Sequence, residues 1–93
     1  MTYRQLTDPR AVIKAIQEFD ALGREEFLRN HGFGPAQKYF LKYQGRMYDS
    51  KAIVGVAFGY QFPRIGPLTW RDFHGGQRNV VKKLASLGFT VVT

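Results

Sequence analysis

Apolar residues recur at steps of three and four through Val12, Ile13, Ile16, Phe19 and Leu22. That spacing predicts one apolar helix face. Asp8 can cap this helix, and Pro9 can take its first position, where a missing N–H costs nothing. Gly23 is the expected stop. A shorter helix is expected from Arg24 to about Asn30, burying Phe27 and Leu28, with Gly32, Gly34 and Pro35 breaking it.

The pattern then changes period. Tyr39 to Tyr43 is rich in strand formers, Gln44-Gly45 suits a tight turn, and Arg46-Met47-Tyr48 returns. This hairpin register sets Tyr43 against Arg46, Lys42 against Met47 and Leu41 against Tyr48. Ser50 can cap a third helix, Lys51 to about Tyr60. Its residues Ala52, Ile53, Val56, Ala57 and Phe58 are apolar almost all round, as in a central buried helix, and Gly55 permits close packing. Phe62 to Pro67 reads as a loop. Thr69 caps a single turn through Phe73, and Gly75-Gly76 opens a fourth helix, Gln77 to Leu87, ended by Gly88. Val80, Val81, Leu84 and Leu87 form its inner face, with Arg78, Lys82 and Lys83 towards the other side. Phe89 to Val92 is a last strand. The expected fold is α+β: about four helices on a small three-stranded antiparallel sheet, in the order ααββααβ.

Length confines this to one domain over residues 1–93. No stretch approaches the roughly 18 apolar residues of a membrane span, and no apolar signal region opens the chain. Cysteine is absent, which excludes disulfides, thiol nucleophiles and thiolate metal sites. His31 and His74 lack the spacing of a metal pair. No catalytic pattern surrounds His74, although Asp72 is near it. The expectation is a soluble, cytoplasmic module with no cofactor, no metal and no catalytic residues of its own.

Charge adds a partner. The formal net charge is +7, and it is unevenly spread. Residues 1–30 balance five cations against five acids, whereas residues 31–93 carry nine cations and two acids. Such a bias suits a polyanion, although it also serves solubility. Tyr39, Tyr43, Tyr48, Tyr60, Trp70 and Phe73 interleave with Lys38, Lys42, Arg46, Lys51 and Arg71. Rings of this kind stack on bases while cations hold phosphates. They can equally fill a small core, which is the better account of Leu41, Tyr48 and Phe73; for Tyr43 and Trp70 both remain open.

Two local features sharpen the expectation. Gly75-Gly76 ahead of a helix, with His74, Gln77 and Arg78 beside them, can cradle a phosphate or merely turn the chain. Lys51 in a first helical turn opposes the helix dipole by roughly 0.3–1 kcal/mol. Either a salt bridge to Asp49 or Asp72 offsets that, or a phosphate does.

The run Tyr48-Asp49-Ser50-Lys51-Ala52-Ile53, then Pro67-Leu68-Thr69, Phe73, Gly75-Gly76, Val80 to Leu84 and Leu87-Gly88-Phe89, resembles the N-terminal head domain of ScoMcrA-type modification-dependent restriction endonucleases. The resemblance covers most of residues 8–93. Members carry, further along, modules that read methylated or phosphorothioated DNA and an HNH nuclease. It implies that this chain is the N-terminal module of a longer protein, and that its setting is DNA. The expected function is an accessory module that binds duplex DNA and senses a modified base; the alternative is an interaction or dimerisation head, with an apolar patch around Tyr60, Phe62 and Ile65. Phosphate contacts fall to Lys42, Arg46, Lys51, Arg71, Arg78, Lys82 and Lys83. Base reading falls to Tyr43, Trp70, His74 and Gln77, with Gly75 and Gly76 as the cradle.

Overall fold

Helix α1, Pro9–Leu22, starts where Asp8 accepts the Arg10 N–H and ends at Gly23, whose φ of 87° few other residues tolerate. The computed structural model describes residues 2–73 and 77–93, Gln77 by its backbone. Helix α2, Arg24–His31, follows directly and closes at Gly32 in the left-handed region. Strands β1, Phe40–Tyr43, and β2, Arg46–Asp49, form the hairpin. Helix α3, Ser50–Gln61, a short 3-10 turn at Trp70–Asp72, helix α4, Gln77–Ser86, and strand β3, Thr90–Val92, complete the order.

The fold is α+β with the expected order ααββααβ. The antiparallel sheet runs β2-β1-β3, so the last strand lines the far edge of the first hairpin strand. The hairpin register is the expected one: Tyr43 with Arg46, Lys42 with Met47, Leu41 with Tyr48. Leu41 and Tyr48 point into the core, and Lys42, Met47 and Thr90 form an exposed cross-strand row on the opposite sheet face.

Helix α3 is the axis of the molecule. Every residue from Ala52 to Phe58 is buried, and α1 packs more extensively on it than any other element does. Burying side chains such as Ile53 and Phe58 stabilises the fold by roughly 1.5–3 kcal/mol each. Two glycines allow the close approach. A Cβ on Gly55 would lie 2.8 Å from the Phe33 ring, and one on Gly59 would lie 2.6 Å from the Pro67 backbone nitrogen. The returning loop is bonded there, Leu68 N–H to Gly55 carbonyl at 3.0 Å.

Several details differ from expectation. Ser50 does not cap α3: it is the first helical residue, Asp49 holds the cap position without a side-chain cap bond, and the Ser50 hydroxyl donates to the Tyr39 carbonyl at 2.9 Å. The extreme N-terminal segment is part of the core. Tyr3 and Leu6, around a 3-10 turn at Tyr3–Gln5, are buried, and the Tyr3 ring stacks on Phe73 with centroids 5.3 Å apart. The α4 helix ends at Ser86 rather than Leu87.

Candidate nucleic-acid interface

Acids decide which cations remain available. Asp49, which could have paired with Lys51, is 3 % exposed and clasped by Arg24, 25 residues earlier in the chain. Asp72 accepts both donors of Thr69, the N–H at 2.8 Å and the hydroxyl at 3.2 Å. The salt bridge expected for Lys51 is therefore not made among the described residues; the ion pairs there engage Arg10, Arg24, His31 and Arg46. Lys51 sits half-buried in the first turn of α3, where free helix N–H groups add to its positive potential.

The cations occupy three places. Lys42 stands on the open sheet face, and Arg46 at the hairpin end reaches Asp20 at 3.4 Å. Arg78 and Lys82 lie one turn apart on α4 and both are exposed. Lys83, beside them, donates from its ammonium to the Arg4 carbonyl at 2.8 Å. Lys51 and Arg71 occupy the third place, each lining a cleft that Trp70 also lines.

Trp70 separates from Tyr43 here. Tyr43 is half-buried, its ring 6.0 Å from that of Phe89. Trp70 is 58 % exposed, with the Arg71 guanidinium 5.4 Å from its ring centroid. The 3-10 turn Trp70–Asp72, held by the Asp72–Thr69 bonds, presents it. Together with Trp70, Tyr39, Lys51 and the 33–37 loop line a cleft of about 270 Å³. His31, Gly32, Thr69 and Arg71 line another of about 230 Å³ that Trp70 also borders. Lys51 and Trp70, separate in sequence, thus share one cleft. His74, Gly75, Gly76 and the Gln77 side chain lie outside the described residues.

Sequence reasoning left His31 unassigned. Its Nε2 meets Glu18 Oε2 at 2.5 Å, while the Tyr60 hydroxyl donates to Glu18 Oε1 at 2.6 Å. Burial works to raise the Glu18 pKa, but the bonds from Tyr60 and His31 outweigh it and hold the carboxyl below its usual value. The same bond, with burial and the Glu18 charge, pushes Tyr60 up to about 12. Tyr60 is thereby anchored, Phe62 packs on Phe58 at 4.7 Å, and Ile65 is 49 % exposed. No group of three or more metal-ligating side chains occurs among the described residues, and no described helix is long and apolar enough to cross a membrane.

A family model for the ScoMcrA-like N-terminal head domain matches residues 4–93. The chain belongs to this family. The head domain is similar to part of a solved structure, that of the Type IV phosphorothioation-dependent restriction endonuclease ScoMcrA. The two are 35 % identical with a TM-score of 0.64, over 89 % of this chain and 12 % of the other. The head domain thus spans about an eighth of that endonuclease, taken from the 12 % coverage. No curated protein matches it.

Proposed function

We propose that this head domain is the DNA-binding accessory module of a modification-dependent restriction endonuclease. It holds duplex DNA through cations that its own acids leave uncompensated. The observation that carries the reading is the fate of the two acids in residues 31–93. Asp49 is paired with Arg24, and Asp72 bonds Thr69 rather than a cation among the described residues. Lys42, Lys51, Arg71, Arg78 and Lys82 have no acid partner among the described residues. Phosphates supply the charge they lack.

Similarity to a phosphorothioation-dependent endonuclease supports DNA as the polyanion. Cutting then belongs to another module of the parent protein, an HNH nuclease acting in cytoplasmic phage defence. Sensing of a modified base falls to Trp70 before Tyr43, because a ring must be reachable to stack.

A binding panel tests this. Unmodified, methylated, hydroxymethylated and phosphorothioated duplexes are titrated with the protein at two salt concentrations. The expected result is log K falling with log[salt], each phosphate contact adding roughly 0.9 to the slope. A preference among the duplexes would mark modification sensing. Absence of binding at low salt, or binding indifferent to salt, would turn the reading towards an interaction head.

A further inference from the structure

We infer that the cleft between Lys51 and Trp70 holds a single unstacked nucleotide, its base against the indole and its phosphate on the Lys51 ammonium. The inference rests on the DNA-binding reading above and narrows it from a charged surface to one cleft and one substrate form.

Three observations meet here. Trp70 is the most exposed large hydrophobic residue among those described, at 58 %. A Trp left in water by a fold that buries Tyr48, Phe27 and Phe58 completely is not serving the core. Second, the indole lines two clefts. Arg71 lies near the ring and lines the cleft with His31 but not the one with Lys51. Tyr39 lines that same cleft, with the Lys38 ammonium 5.5 Å from its ring centroid. Third, the carboxylate that lines the cleft is already paired. It is Asp49, and its two oxygens are bound by Arg24 and by the Ala36 N–H. Lys51 makes no ion pair among the described residues.

An aromatic wall beside an uncompensated cation matches a ligand that is flat at one end and anionic at the other. A nucleotide has that form. At about 270 Å³, the cleft lies just below the roughly 300–1,000 Å³ of common small-molecule sites and suits one ring system. Inside a duplex both faces of a base are covered by its neighbours, so Trp70 can reach only a base that is unpaired or turned out of the stack.

The sequence has one tryptophan, so intrinsic emission reports Trp70 alone. The experiment titrates the chain with three end-labelled DNAs of equal length: single-stranded, duplex with one unpaired base, and fully paired. Label anisotropy gives affinity, and tryptophan emission gives stacking. The unpaired-base duplex and the single strand should quench Trp70, and the former should bind about tenfold more tightly than the paired duplex. Trp70→Ala should remove that preference, and Trp70→Phe should retain part of it. Lys51→Gln should lower the single-strand salt slope by about 0.7, one phosphate contact. Binding seen by anisotropy without quenching, or a preference that survives Trp70→Ala, overturns the cleft and leaves the DNA reading intact. Absence of an anisotropy change with all three DNAs overturns both. Far-UV circular dichroism of each variant separates loss of binding from loss of fold.

Discussion

Arg24 and Asp49 meet at two points, Nε donating to Oδ1 and Nη2 to Oδ2, each at 2.9 Å. The pair ties the start of α2 to the end of β2. The Ala36 N–H, 2.7 Å from Oδ2, brings the intervening loop to the same carboxylate. The hydrogen bond to Asp49 raises the Arg24 pKa against the opposing effect of burial, and the Asp49 charge adds to it. This one contact pairs the acid that lines the Trp70 cleft.

Loss of Arg24 should be costlier than loss of Asp49's charge. Arg24→Ala leaves a carboxylate that is 3 % exposed with a backbone N–H as its remaining donor, whereas Asp49→Asn leaves a guanidinium already 48 % exposed. Removing one partner of a buried pair costs about 3–5 kcal/mol. Partial exposure of the guanidinium lowers the expectation for Arg24→Ala to roughly 2–3 kcal/mol, with Asp49→Asn below it. Urea midpoints of the two variants check the order; equal losses, or a loss below about 0.5 kcal/mol for Arg24→Ala, would contradict it.

Gly59→Ala tests the close approach of α3 and the returning loop. Helix propensity favours Ala by up to about 1 kcal/mol. The added Cβ, however, would stand 2.6 Å and 2.9 Å from Pro67 backbone atoms, which no rotamer change can move. Overpacking should win, with a net loss of roughly 1–3 kcal/mol read from thermal melts. A variant as stable as the parent would show that the loop shifts freely.

Tyr60→Phe should change acid behaviour as well as stability. The Glu18 pKa is lowered in the folded protein, so its contribution is present above the unfolded value of about 4.3 and fades as pH falls through the folded value. Removing the Tyr60 hydroxyl should raise the Glu18 pKa and cost about 1 kcal/mol at neutral pH. Tyr60 itself is pushed up to about 12, so its contribution holds below the unfolded value of about 10 and is lost as pH rises through the folded one. Carboxyl-carbon NMR titration of Glu18 in both proteins decides the matter. An unchanged Glu18 titration would remove the Tyr60 bond from the account.

Arg78→Gln and Lys82→Gln should act alike on every duplex. The two side chains are exposed one turn apart on α4, where they can follow a phosphate backbone but have no ring to read a base. Each should flatten the salt slope by about 0.9 without changing any preference between modified and unmodified DNA. A substitution here that altered the preference would give α4 a reading role.

The order of elements and the hairpin register were legible in the chain itself. Both follow from short-range geometry: a 3.6-residue period, a two-residue period, and turn residues at fixed offsets. Asp8 before Pro9 marks one boundary, and Gln44-Gly45 sets Lys42 against Met47. The family pattern was legible for the same reason, because it is a run of residue types along the chain. Ion-pair partners and ring exposure were not. Lys51 stands two positions from Asp49, yet Arg24 takes that carboxylate from 25 positions away, because α2 folds back against the end of β2. Tyr43 and Trp70 look equivalent as aromatics among cations. Phe89, brought in by β3, half-covers the first, while the second stays on a short turn outside the core. Tyr3 and Leu6 are too few to form a period, so only packing against Phe73 and its neighbours made them core. Periodicity is a property of neighbours in sequence, whereas a charge or a ring takes its environment from whatever the fold sets beside it.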